Sequence, residues 1–284
     1  MASNTMVSED DIVHWRGWIG KEELRREHLS TETLRRFAAA LGETLDVESS
    51  QPPLAHWAFF LPTVAADQIG PDGHPKRGGF LPPVTLPRRM FAAAEMRFEA
   101  PLLLDREAER RSTILDVTHK AGRSGQLVLV QLEHRITQDG AMRINEKQTI
   151  VYRDAGAPTP PVVPAEIAPQ NGDALWNPTP VDLFRVSAAT FNSHRIHYDL
   201  PYATGEEGYP GLVVHGPFTA ARLFGHARRS GGTPTGFGFR AVAPLFCGQP
   251  ILLRDDGAGK VRALRCDGAD AMIATADFQA HSGH

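Results

Sequence analysis

Seven prolines fall between residues 154 and 180, at positions 158, 160, 161, 164, 169, 178 and 180, with no periodicity around them. Proline fixes φ and removes a backbone donor, so no long helix or inner strand is expected to cross such a stretch. The chain therefore divides into residues 1–153 and 181–284, with residues 154–180 as a linker extended over the surface. Both parts show the same order of elements, helical material followed by strands. No sequence repeat accompanies it.

In the first part, Trp15, Trp18 and Ile19 sit among charges and suggest an irregular arm or short helix. Ser30 can cap a helix that buries Leu34, Phe37, Ala38 and Leu41 and stops at Gly42. HWAFFLP, residues 56–62, reads as a short strand or a pocket wall. Residues 69–90 are rich in Gly and Pro and carry His74, Lys76, Arg77, Arg88 and Arg89. So long a stretch without periodicity reads as a functional loop, with a plain solvated loop as the alternative. Its cations suit an anionic ligand, arginine by its fork geometry. Segments 96–104, 111–120, 126–137 and 142–153 are β-branched, apolar and often alternating, which predicts an antiparallel meander. Arg123-Ser124, between two glycines, reads as a hairpin connection.

The chemistry gathers in the second part. After a short strand expected at Leu183–Val186, residues 187–224 bring Asn192, His194, His197, Tyr198 and Asp199 together, then a tight turn, then His215-Gly216-Pro217. Pro217 suits a first helical turn. A helix starting there directs free N–H groups and its positive end at whatever lies over Gly216, as a developing oxyanion requires. The bland alternative is a buried helix whose glycine only permits close packing. Histidine is the side chain best suited to moving protons near neutral pH, and His194 and His197 share a face if they lie on one helical turn. Two histidines are half a metal site, but no Cys or third His lies at ligand spacing, so no metal is expected. Strands are expected near residues 236–246, 251–254, 261–266 and 272–279.

FNSHRIHYD followed by YPGLVVHGPFTAARL resembles the hydratase motif of the MaoC-like enoyl-CoA hydratases and thioester dehydratases, which adopt the hotdog fold. HWAFFLP, GPDGHPKRGGFLPPVTLPRRM and STILDVTHKAGRSG extend the resemblance over most of the chain. They are similar to the branch of mesaconyl-C4-CoA and itaconyl-CoA hydratases and type 2 hydroxyacyl-thioester dehydratases. The resemblance implies an α+β double hotdog, each unit a helix wrapped by a curved antiparallel sheet, with the second unit carrying the motif and the first facing it. His197 matches the motif's histidine and is the expected general base. Asn192 stands where the family has aspartate, and an amide neither takes nor gives a proton at neutral pH. Asn192 is then expected to orient water, with the Gly216 amide serving the thioester oxygen. His194, Asp199 or His215 would give support. His74, Lys76, Arg77, Arg88 and Arg89 are expected to meet the phosphates of coenzyme A or a free carboxylate on the acyl group.

Composition fits this reading. The 284 residues are 42% hydrophobic and 22% charged with a formal net charge of −3, and no dense basic block favours nucleic acid. Cys247 and Cys266 suggest no disulfide framework or zinc spacing. The N-terminus is polar and acidic, and no apolar run approaches membrane-spanning length, so a cytoplasmic location is the expectation. The expected reaction is reversible hydration of an α,β-unsaturated acyl thioester on CoA or acyl-carrier protein. It needs no cofactor, CoA being part of the substrate. A homo-oligomer such as a dimer is expected. Three rivals stand beside it. A fatty-acid-type dehydratase would turn over crotonyl-CoA with no gain from a distal carboxylate. A hotdog thioesterase would free the CoA thiol. A non-catalytic binder would leave the enoyl absorbance intact.

Overall fold

The computed structural model describes residues 7–122, 125–168 and 170–279. The first helix, α1 (Glu9–Arg16), is fixed by a capping box between Ser8 and Asp11 and buries Trp15. It leads to β1 (Glu22–His28), whose residues alternate exposed and half-buried. The sequence reading placed no strand here, because EELRREH offers a single apolar side chain. Edge strands can be this polar. Helix α2 (Thr31–Ala40) follows, with Leu34, Phe37 and Ala38 buried. Ser30 occupies its N-cap position without bonding through its side chain. Asp105 caps the helix instead, accepting from the Thr31 N–H at 3.0 Å and from its hydroxyl at 2.7 Å. Residues 55–58 form a 3-10 turn rather than a strand, and Phe59 and Phe60 beyond it are buried.

Four long strands follow: β2 (Arg88–Phe98), β3 (Glu107–Gly122), β4 (Gly125–Gln138) and β5 (Ala141–Arg153). The last three are the expected meander. Arg123 and Ser124 lie outside the described residues, while Gly122 and Gly125 pair on either side of them. β2 begins eight residues before the expected Met96, so Arg88 and Arg89 belong to a strand and not to the loop before it.

Two corrections fall after residue 153. The proline-rich stretch contains a short strand, β6 (Ala174–Trp176), paired with residues 251–253. The strand expected at Leu183–Val186 is helical, part of α3 (Pro180–Ala189). The Thr179–Asp182 capping box with Pro180 in the first turn starts that helix, and these signals outweigh the local β propensity of Leu-Phe-Arg-Val. Helix α4 (Leu200–Gly205) and the sixteen-residue α5 (Gly216–Gly231) precede β7 (Gly236–Ala241), β8 (Ile251–Gly257), β9 (Lys260–Leu264) and β10 (Asp270–Asp277). α5 runs well beyond Phe224, where the apolar segment was expected to end.

The ten strands of the described residues form one sheet in the order β1-β3-β4-β5-β2-β7-β10-β9-β8-β6. Read inward from either edge, the order is the same: first strand, third, fourth, fifth, second. The halves meet where β2 pairs antiparallel with β7, from Ala93 opposite Arg240 to Arg97 opposite Gly236. Each half places a core helix between its first and second strands, α2 in one and α5 in the other. This is the double hotdog. α5 is buried along most of its length against β7, β8, β9 and β10 and touches β2 across the join. No helix among the described residues is long and apolar enough to cross a membrane.

Candidate active site

The start of α5 fixes the site. His215 is its N-cap residue, Gly216 and Pro217 open it, and the first backbone bond of the helix runs from Thr219 N–H to the His215 carbonyl at 3.0 Å. No acceptor among the described residues bonds the Gly216 amide. A Cβ built on Gly216 would meet only the Phe91 carbonyl, at 3.6 Å, which is ordinary contact. Protein packing therefore does not demand glycine here, and the close approach it permits is open to a ligand.

His197 ends a 3-10 turn (Arg195–His197) that begins after His194. Its Nδ1 lies 2.7 Å from the Val213 carbonyl. A carbonyl only accepts, so Nδ1 carries the proton and Nε2 is left as the basic nitrogen. The ring stacks on that of His215 at 3.6 Å between centroids, 20° apart in plane. His215 is almost fully buried and is anchored by Ser187 Oγ, 2.8 Å from its Nε2. The His197 imidazole thus sits beside the free amide end of α5, on a floor made by the residue that caps it.

Asn192 does not face the site freely. Its Oδ1 accepts from the His194 N–H at 3.0 Å, which turns the chain into the 3-10 segment, so its remaining polar function is the amide donor. Asp199 caps α4 through the Tyr202 N–H at 3.2 Å and is paired with Arg195 at 2.8 Å. Bonded to Arg195, its carboxyl is held below the usual range, and it serves as a structural group rather than a catalytic support.

The cations are sorted equally sharply. Arg77 donates to the carbonyls of Val84, Leu86 and Pro87 and lies over the Tyr152 ring, so it staples its own loop. Arg88 is buried, paired with Glu207 at 3.1 Å and set over Tyr209. Arg77 is therefore not free for an anion, contrary to expectation, while Arg88 keeps only its buried Nη1 without a partner. Lys76 is exposed. Arg89 is half-buried, has no carboxylate at ion-pair distance among the described residues, and lies close enough to Asp72, His74 and His194 to influence all three.

Asp72 and His74 reach the site from a distant part of the chain, which sequence spacing does not reveal. The loop at 69–76 folds onto the motif through an unusually tight contact. Arg195 N–H donates to the Asp72 carbonyl at 2.9 Å, Arg195 Nη1 to the Pro71 carbonyl at 3.0 Å, and Ser193 Oγ to the Gly73 carbonyl. His74 thereby comes to lie with its ring 4.0 Å from that of His194, whose ring is 5.4 Å from that of His197. His74, expected to meet an anionic ligand, belongs to the histidine cluster. Its Nδ1 lies 3.0 Å from Asp72 Oδ2. Ligand atoms of Asp72, His74 and His194 all lie within 4.8 Å of one another, so the fold supplies the neighbours that sequence spacing beside His194 lacked.

Burial governs the protonation of this cluster. It pushes His197 down to about 4 and, with the neighbouring His74 and His197 rings, pushes His194 down to about 2. It also takes His215 well below 6.5. In the first unit, burial lowers His134 to about 4. Burial alone would raise the Asp72 carboxyl, but its bonds to His74 hold it well below the usual carboxylate range. A histidine with a folded-state pKa below its unfolded value binds its proton more readily when unfolded. Stability is then lost as pH falls through the window from about 6.5 to about 4. Thermal melts are expected to shift downward progressively across that window, and a melting temperature unchanged between neutrality and the lower limit would contradict the burial of these rings.

The fold defines a hotdog protein, and the start of α5 and the loop at 69–76 gather His74, His194, His197 and His215 into one cluster. The chain matches the hydroxyacyl-thioester dehydratase type 2 family over residues 54–247 and belongs to it. It is 45% identical over 278 residues to the mesaconyl-C(4)-CoA hydratase of Chloroflexus aurantiacus, covering 93% of this chain and 98% of that one. Identity to the mitochondrial hydroxyacyl-thioester dehydratase type 2 of Schizosaccharomyces pombe is 26% over 237 residues, covering 73% and 79%. A MaoC-like dehydratase from Phytophthora capsici superposes with a TM-score of 0.66 at 16% identity, over 98% of this chain and all of that one. That last likeness speaks for the fold alone.

Proposed function

We propose that this chain adds water across an α,β-unsaturated acyl-CoA, with a C5 dicarboxylic monothioester such as mesaconyl-C4-CoA or itaconyl-CoA as its substrate. It is a hydro-lyase of the acyl-CoA hydratase class. One observation carries the assignment of the chemistry: His197 has its Nδ1–H tied to the Val213 carbonyl and its ring stacked on the cap of α5. Nε2 is therefore unprotonated, on a ring that lies against the N-cap residue of the helix whose Gly216 amide is unbonded. In the hydration direction His197 Nε2 takes a proton from water as the water oxygen bonds Cβ. The Gly216 amide receives the thioester oxygen as it gains charge, and the amide group of Asn192 holds the water.

The similarity to a mesaconyl-C(4)-CoA hydratase supports the dicarboxylic substrate, and so does the placement of Arg89. A half-buried arginine without a carboxylate partner, beside the histidine cluster, suits a free carboxylate on the acyl group. Substrate hydration is read as loss of enoyl-thioester absorbance with mesaconyl-C4-CoA, itaconyl-CoA and crotonyl-CoA. The C5 dicarboxylic thioesters are expected to be turned over with higher kcat/KM than crotonyl-CoA. Arg89→Leu is expected to lower kcat/KM for the dicarboxylic substrates roughly 10- to 100-fold, the range of a lost charge-assisted hydrogen bond, and to leave crotonyl-CoA nearly unaffected. Equal or better turnover of crotonyl-CoA by the wild type would favour the fatty-acid-type dehydratase. Release of free CoA thiol would favour a thioesterase.

A further inference from the structure

Hydration of an enoyl thioester moves two protons, one off water and one onto Cα. The resemblance places a carboxylate at the position of Asn192, and an amide cannot do that carboxylate's work. We propose that the Asp72–His74 pair, delivered by the first unit, is the second proton-transfer group of this site. The proposal rests on the hydratase reading and on His197 as the base.

Four observations converge on it. The Asp72 carboxylate accepts only, so the 3.0 Å contact fixes the proton of His74 on Nδ1 and leaves Nε2 to exchange protons. The same carboxylate is placed to support an imidazolium formed in passing, as in other Asp–His pairs. The pair is accessible, since the side chains of His74 and Asp72 keep 22% and 19% of their surface exposed. The turn that carries them is built for rigidity: Gly70 N–H bonds the His74 carbonyl at 2.7 Å, Gly73 N–H the Gly70 carbonyl at 3.0 Å, and the His74 N–H bonds Asp72 Oδ1 at 3.0 Å. Finally, His194 stands between the two centres, 4.0 Å from the ring of His74 and 5.4 Å from that of His197.

The step balances without a further reactant. Water gives its proton to His197 Nε2 while its oxygen bonds Cβ, and the π pair of the double bond moves into the Cα–thioester enolate. His197 then gives that proton up to solvent, and His74 Nε2 takes one from solvent. His74 then delivers it to Cα, the enolate collapses to the thioester, and both histidines are neutral again. Dehydration runs the same steps backwards, with His74 taking the Cα proton.

The test compares wild type, His74→Ala and Asp72→Asn in the mesaconyl-C4-CoA assay, with melting temperature as the control for folding. His74→Ala is expected to lose about a hundredfold or more in kcat with KM little changed, the usual worth of a positioned acid or base, and to recover part of it with added imidazole. Asp72→Asn, which keeps the shape of the turn, is expected to lose on the order of a hundredfold in kcat and to shift the pH dependence of kcat. A packing role would give neither the imidazole rescue nor the altered pH profile. Folded variants of both kinds with wild-type kcat would overturn the proposal while leaving the hydratase reading, which rests on His197, intact. A rate lost on dialysis against EDTA and restored by zinc would overturn it too, by making Asp72, His74 and His194 a metal site. A wild-type protein that hydrates none of the three thioesters would overturn both readings.

Discussion

His197→Ala is expected to fold normally and to lose about a hundredfold to ten-thousandfold in kcat, the range for removing a positioned general base. Deleting the ring leaves the Val213 carbonyl without its side-chain partner and uncovers one face of the His215 ring, a modest change to the fold. Catalytically it removes the nitrogen that takes the proton from water. The wild type carries a second signature of the same group. Burial takes His197 down to about 4, so it stays a competent base well below the ordinary histidine range. The acid limb of kcat/KM is accordingly expected near pH 4 rather than near pH 6.5, and it should vanish from the residual activity of His197→Ala. A variant with near-full turnover would remove His197 from the mechanism.

Gly73→Ala is expected to be the most damaging glycine-to-alanine change among the described residues. Gly73 has φ +88°, where an alanine is strained, and a Cβ there would stand 1.8 Å from the Ser193 carbonyl oxygen and 2.7 Å from its carbon. Both atoms are backbone and cannot swing aside. The positive φ costs roughly 1–2 kcal/mol and the overlap roughly 1–3 kcal/mol more. Together these correspond to a fall in melting temperature on the order of 5–15 °C for a chain of this size. The damage is also local, because the turn holds Asp72 and His74 against the motif through Ser193 and Arg195. Turnover should fall even at temperatures where the protein remains folded. Gly79, on the same loop, has no heavy atom within 4 Å of a built Cβ. Gly79→Ala is the matched control and is expected to leave both properties near wild type. Melting curves and turnover for the two variants decide the matter, and equal behaviour would contradict the docking of the turn.

What could be read from sequence follows from how local each signal is. The strands β3, β4 and β5 often alternate, so periodicity places β4 and β5 to within a residue at each end, while β3 starts four residues before the expected Arg111. β1 escapes because Glu-Glu-Leu-Arg-Arg-Glu-His is an edge strand with one apolar side chain, and the early part of β2 escapes because arginines and alanines carry little β propensity. α3 is mistaken for a strand when its apolar Leu183, Phe184 and Val186 are weighed above the Thr-Pro-Val-Asp start that in fact decides it. At the site, His197, His215 and Gly216 are legible because one short segment carries them and the helix start that orients them. The Asp72–His74 pair is not, since its meaning depends on a contact between Gly73 and Ser193, 120 residues apart, in a loop without periodicity. The arginines of that loop mislead for a related reason. A sequence shows a charge but not its partner, and Arg77 and Arg88 are already occupied by backbone carbonyls and by Glu207.

The most direct test of the chemistry is to incubate the protein with mesaconyl-C4-CoA in oxygen-18 water and weigh the thioester. Wild type is expected to return an intact CoA thioester heavier by one labelled water, and His197→Ala to return it almost unlabelled. Recovery of unchanged thioester from the wild type, or of free CoA thiol, would contradict the addition of water at His197.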